Sequence, residues 1–132
     1  MDIYQEIVNL LGLDSTPSTL EDLEQELLDE LSDLNETYRS LNVQMRETED
    51  YLEELQDKVA EHNQRAIKMI KQGDEPRARR ELEKKETALN KIQEEEEALT
   101  RLRRNMDRIE SRRADLENKL QKIRDRKNRR RR

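Results

Sequence analysis

The sequence predicts an all-α chain, a long antiparallel coiled-coil helical hairpin preceded by a short amphipathic helix. Three observations predict it. Apolar residues recur at spacings of three and four on both sides of Gly73–Asp74, and the two runs mirror each other. The plane of that mirror, Gly73-Asp74-Glu75-Pro76, joins a helix-ending glycine to a capping aspartate and a proline suited to a first helical turn. The arms also carry opposite charge. Residues 1–38 hold eleven Asp/Glu and no Lys or Arg, whereas residues 101–132 hold fifteen Lys/Arg and five Asp/Glu. Folding the chain at Gly73 lays acid along base, and flanking charges of opposite sign set orientation and register in coiled coils.

Composition points the same way. Of 132 residues, 45% are charged and 31% hydrophobic, with no Phe, Trp or Cys. That supply of apolar side chains fills a thin seam between helices and cannot build a thick core. The sustained heptads argue against disorder, which high charge alone would otherwise suggest. No apolar run approaches the roughly 20 residues that span a bilayer, and the first residues lack the basic start of a signal peptide. The net charge of −5 conceals the asymmetry between the arms.

Residues 1–12 are expected to form the short amphipathic helix. Ile3, Tyr4, Ile7, Leu10 and Leu11 share one face, and Gly12 suits the C-cap. These five are the candidate membrane-binding residues. The same face also suits docking back on the hairpin or on another subunit, because the polar side carries Asp2 and Glu6 and no cation. Residues 13–18 are a linker of turn formers. Ser18 or Thr19 caps the next helix, with Glu21 or Asp22 as the acid of a capping box.

The hairpin spans residues 19–128, with its turn at 73–76 and Gly73, Asp74 and Pro76 as the turn residues. The seam of the first arm runs through Leu31, Leu34, Tyr38, Leu41, Met45, Leu52, Leu55, Val59, Ala66 and Met69. The second arm answers with Ala78, Leu82, Leu89, Ile92, Leu99, Leu102, Met106, Ile109, Leu116, Leu120 and Ile123. Leu55 is expected to face Ile92, Met45 to face Leu102, Leu41 to face Met106, Tyr38 to face Ile109, and Leu31 to face Leu116. Leu23–Leu27–Leu31, spaced four and four, is a stutter that locally unwinds the supercoil. Glu96–Leu99–Leu102–Met106, spaced three, three and four, predicts local overwinding. Three seam layers are polar on one side: His62 opposite Lys85, Glu96 opposite Leu52, and Arg113 opposite Leu34. They read as register-setting residues, or as places where a helix of another copy packs. Leu28, Val43, Tyr51, Ile67 and Ile70 fall off the seam and suit lateral contacts. Residues 129–132 are a basic tail, available to an anion, although the basic stretch upstream reads as the neutralising partner of the acidic arm.

Catalytic chemistry is not expected. One His, no Cys and no Gly-rich phosphate loop leave no nucleophile–base pair, and Glu94–Glu97 point in four directions around a helix. No metal, cofactor or small-molecule substrate is expected, and a zipper-type nucleic-acid binder would instead show a basic region leading into a parallel zipper.

AIKMIKQGDEPRARRELEKKETALNKI, from Ala66 to Ile92, resembles the hairpin of the superfamily of phage-shock-protein A, vesicle-inducing protein in plastids and ESCRT-III. The likeness lies in the bend Gly73-Asp74-x-x-x-Ala78 and the basic helix Leu82-x-x-Lys85 leading to Ile92. DLENKLQKIRDRK, from Asp115 to Lys127, is similar to the family's second long helix, and residues 2–11 occupy the place of its membrane-touching first helix. The resemblance implies a cytoplasmic protein, peripheral on the inner face of a membrane, that assembles as a homo-oligomer and remodels or protects that membrane. The chain departs from the pattern in two respects. Its first helix carries no basic residue, and the sequence stops where the family's later helices begin. The alternative reading of the hairpin is a soluble coiled-coil adaptor or chaperone-like module.

Overall fold

The first amides of a helix lack internal partners, and Thr19 supplies one here. Its Oγ1 accepts the Asp22 amide at 3.0 Å and its carbonyl accepts the Leu23 amide at 3.1 Å, so Thr19 is the N-cap. The computed structural model describes residues 19–131. Helix α1 follows the cap over Leu20–Lys71 and helix α2 spans Glu75–Arg131, and the two pack against each other as a hairpin. Residues 1–12 and 13–18, expected as an amphipathic helix and linker, lie outside the described residues. At the other end α2 continues through Arg131, so residues 129–131, expected as a tail, belong to the helix.

Two hydrogen bonds close α1 at the turn. The Gly73 amide donates to the Ile70 carbonyl at 3.0 Å, and the Asp74 amide donates to the Met69 carbonyl at 2.8 Å. This is the Schellman arrangement, which needs a left-handed residue after the helix; Gly73 provides it at φ 76°. Asp74 then caps α2. Its Oδ1 accepts the Arg77 amide at 3.3 Å and its carbonyl accepts the Ala78 amide at 3.1 Å.

The hairpin divides into two compact units: residues 19–40 with 106–131, and residues 41–105 around the turn. In the first, here the terminal unit, the core is aliphatic. Leu20, Leu23, Leu27, Leu116, Leu120 and Ile123 are buried together, with Leu28, Leu31 and Leu34 packed against them. The four-and-four spacing of Leu23, Leu27 and Leu31 lies in this cluster. Polar cross-links flank it. Arg112 donates to Glu30 at 2.8 Å, Lys127 to Glu24 at 3.0 Å, and Arg124 lies 3.5 Å from Glu24. Acid on α1 meets base on α2, as the charge asymmetry predicts. The Tyr38 hydroxyl donates to Glu110 at 3.0 Å and Arg113 reaches Asn35 at 3.3 Å, each one residue from the partner that folding at Gly73 assigns. Lys119 is buried along its stem and donates its Nζ to Asp115 at 2.7 Å.

In the turn unit the seam is thinner. Its buried residues include Leu52, Leu55 and Leu99, but also the alanines Ala66, Ala78 and Ala88. The inward positions of α2 are Ala78, Glu81, Lys85, Ala88, Ile92, Glu95, Leu99 and Leu102, alternating threes and fours without a break. This corrects the expected seam. Leu82 and Leu89 are 41% and 39% exposed, each one residue beyond the inward position. Glu95 takes the place assigned to Glu96, which is exposed, and the expected overwinding before Met106 disappears. The reason is rotational. Turning Leu89 inward means rotating the helix by one residue, about 100°, which would carry Ile92 and Leu99 out of the seam.

Candidate functional site

The turn residues come together as a single cap-to-cap connection. Gly73 ends α1, Asp74 caps α2, and Pro76 sits in the first turn of α2, where its missing N–H costs nothing. Of the seam residues, Leu55, Met106 and Leu116 are buried, while Leu31, Leu41, Met45, Ile92 and Leu102 are half-buried. Ile3, Tyr4, Ile7, Leu10 and Leu11, the candidate membrane-binding residues, lie outside the described residues.

The polar seam positions find partners. In the turn unit His62 Nδ1 lies 2.7 Å from Glu81 Oε2, and Lys85 donates to Asn63 at 2.9 Å. The His62 contact holds the Glu81 carboxyl below the usual glutamate value against the opposing effect of burial, with Lys84 and Arg65 adding a smaller pull. In the terminal unit Arg113 stacks on the Tyr38 ring, 5.1 Å from its centroid. Satisfied polar groups at such positions favour one register over its neighbours.

The acidic run is less uniform than its sequence. Lys91 reaches Glu94 at 3.3 Å and Glu95 at 3.6 Å, and Glu95 is half-buried. Hydrogen bonding to Glu94 raises the Lys91 ammonium above its ordinary value. Among the described residues no group of three or more His, Cys, Asp or Glu is placed to hold a metal, and no helix is long and apolar enough to cross a membrane.

The surface of the turn unit is organised into two different flanks. Ile67, Ile70, Leu82 and Leu89 each directly follow an inward residue, namely Ala66, Met69, Glu81 and Ala88. In two antiparallel helices the same one-residue step turns both side chains toward the same flank. The ion pair between Glu49 and Arg103 at 3.7 Å, two more residues that follow inward positions, shows that such residues meet across the pair. The flank therefore carries an apolar patch near the turn, in which Ile70 is 60% exposed. The opposite flank, built from residues that precede inward positions, carries Lys58, Arg65, Arg77, Lys84 and Lys91 interleaved with Glu54, Glu61 and Glu94, and Arg65 and Lys91 lie 3.6 Å and 3.3 Å from Glu61 and Glu94. Lys58, Lys84 and Lys91 border an open groove of about 480 Å³ with Tyr51 and Leu55.

Sequence reasoning placed Ile67 and Ile70 off the seam but missed Leu82 and Leu89, which it read as core. The signal was present: carrying the strict three-four alternation back from Leu99 through Ile92 reaches Ala88, Lys85, Glu81 and Ala78 and excludes both leucines.

No family model, curated protein or solved structure matches the chain.

Proposed function

We propose that the chain is a non-enzymatic, self-associating helical hairpin that scaffolds and remodels or protects membranes. The apolar flank of the turn unit carries this reading. A helix pair that leaves four large aliphatic residues together on one side, while filling part of its own seam with alanine, has apolar surface left for a partner. The sequence likeness of Ala66–Ile92 to the phage-shock-protein A and ESCRT-III hairpin, and the apolar face of residues 2–11, supply the membrane half of the reading. The chemistry asked of the molecule is adhesion, through buried apolar area and screened charge, with no bond made or broken.

The test is co-sedimentation of the purified chain with liposomes at low and high salt, with negative-stain images of the same samples. Pelleting with rods, rings or coated tubules is expected, and removal of residues 1–12 is expected to abolish it. A small species that ignores lipid would discard the membrane role and leave the adaptor reading.

A further inference from the structure

We infer that residues 2–11 dock on the leucine cluster of the terminal unit as a third helix, so that without lipid the apolar face of Ile3, Ile7, Leu10 and Leu11 is engaged on the hairpin itself. The contact stands independently of the membrane reading; its consequence, that lipid must displace the segment, rests on that reading.

The terminal unit is covered more fully than a pair of helices covers itself. A seam between two helices stays open along both edges, and the turn unit behaves so: Leu55, its best-buried leucine, keeps 4% of its surface. In the terminal unit Leu23, Leu27, Leu116 and Ile123 keep none. Lys119 tells the same story. It precedes the inward Leu120, on the flank that in the turn unit carries Arg65, Arg77, Lys84 and Lys91. Those four side chains are 44% to 67% exposed, whereas that of Lys119 is 10% exposed. Its ion-pair partner Asp115 is itself exposed, so the pair does not supply the shield. Glu26, on the same flank of α1, is half-buried. The two helices already account for Leu20–Lys71 and Glu75–Arg131, which leaves the residues before Thr19 as the cover.

Position, length and pattern fit that segment to the place. It ends at Thr19, one residue before Leu20 opens the cluster. Residues 13–18 span up to about 20 Å, enough to turn the chain back. The stripe from Ile3 to Leu11 is about 12 Å long as a helix, and the enclosed stretch from Leu116 to Ile123 is about 10 Å. Charge does not select the contact, because Arg112 and Lys119 are already paired with Glu30 and Asp115. Apolar area within reach selects it, and so short a tether holds the segment at a high effective concentration beside its site.

Lysine acetylation of the full chain, read residue by residue by mass spectrometry without lipid, tests the contact. Lys119 is expected to react more slowly than Lys84. Ile7→Asp is expected to raise the Lys119 rate about tenfold and leave Lys84 unchanged, as the loss of one buried aliphatic contact would. Gln5→Asp, on the polar side of the segment, is expected to change neither. Unchanged hairpin helicity separates release of the segment from unfolding. A Lys119 as reactive as Lys84 in the unsubstituted chain overturns the inference, and so does a shielded Lys119 indifferent to Ile7→Asp and to Leu10→Asp. Shielding that fades on dilution also overturns it, since it would place the segment on a second copy. Vesicles that pellet the chain are expected to expose Lys119. Pelleting with Lys119 still shielded overturns the displacement and spares the membrane reading. A shielded Lys119, sensitive to Ile7→Asp, in a chain that ignores vesicles supports the docked helix and discards the membrane reading.

Discussion

The two units of the hairpin share a three-four repeat, broken once by the stutter at Leu23–Leu27–Leu31, and fill it differently. In the terminal unit the fully enclosed residues are large aliphatics, Leu23, Leu27, Leu116 and Ile123, with Arg113 on Tyr38 and the stem of Lys119 as polar inward groups beside them. In the turn unit the inward positions include three alanines and a polar layer of His62, Asn63, Glu81 and Lys85, and among the described residues the exposed large hydrophobics, Val43, Ile67, Ile70, Leu82 and Leu89, all belong to this unit. The contrast teaches that periodicity sets which residues face inward, while residue size sets how much stability each layer contributes. One unit is built to hold the helices together. The other holds them in register and keeps apolar surface outside.

The sharpest way to break this comparison is to truncate one leucine in each unit. Leu116→Ala is expected to cost about 3–5 kcal/mol, the upper part of the range for large-to-small core changes, because Leu116 is closed in on all sides. Leu55→Ala, whose side chain borders an open groove, is expected to cost about 2–3 kcal/mol. Denaturant unfolding measures both, and equal losses would show that the turn unit packs as tightly as the terminal one. Val43→Ala, at a 53% exposed position, should stay within about 0.5 kcal/mol.

The caps come next. Gly73→Ala meets no steric neighbour, so its cost is that of the left-handed backbone alone, about 1–2 kcal/mol. Thr19→Ala should remove about 1 kcal/mol by leaving the Asp22 amide without its hydroxyl partner. Amide hydrogen exchange separates the two, with faster exchange expected around the turn for the first and in the opening turns of α1 for the second.

The smallest effects concern pH. Glu24 and Asp115 in the terminal unit are held below their usual values mainly by hydrogen bonds from Lys127 and Lys119, and Glu81 in the turn unit by His62. Depressed carboxyls add stability that is present above their unfolded values, about 4, and is lost as pH falls through the lower folded ones. Tyr38 runs the other way. Its bond to Glu110 raises it, so its contribution is present below its ordinary value of about 10 and is lost as pH climbs through the raised one. Melting curves across pH should show Glu24→Gln flattening the acid limb and Tyr38→Phe flattening the alkaline limb. Unchanged limbs would show that solvent screens these pairs fully.

Most of the fold was legible because its determinants are local and repeated. The mirror about Gly73, the capping residues and the acid-to-base pairing of the arms all follow from spacing and charge. What escaped was the frame of α2 between Ala78 and Glu96. There the larger apolar residue stands beside the inward position, so reading by hydrophobicity selects Leu82 over Glu81 and Leu89 over Ala88, and the spacing counted on from them lands on Glu96 instead of Glu95. A helix cannot rotate for one residue and return, so the frame set by Ile92, Leu99 and Leu102 prevails. It does so at the cost of two inward glutamates, Glu81, which His62 meets, and Glu95, which Lys91 approaches at 3.6 Å. The apolar flank of the turn unit was therefore hidden by the same misreading. The apolar face at Ile3–Leu11 rests on its sequence pattern.

Pro76 has a consequence for how two copies exchange arms. Helical hairpins swap by straightening their turn into one continuous helix and pairing with a second straightened chain. In such a helix Pro76 would be interior, its ring against the Gln72 carbonyl and its missing N–H breaking the ladder, a penalty of about 3 kcal/mol or more per chain. Gly73, now left-handed, would also have to become helical, at a further cost in backbone freedom. The turn is thus a ratchet that holds each chain folded on itself, and Pro76→Ala with Gly73→Ala is the pair of changes that would release it.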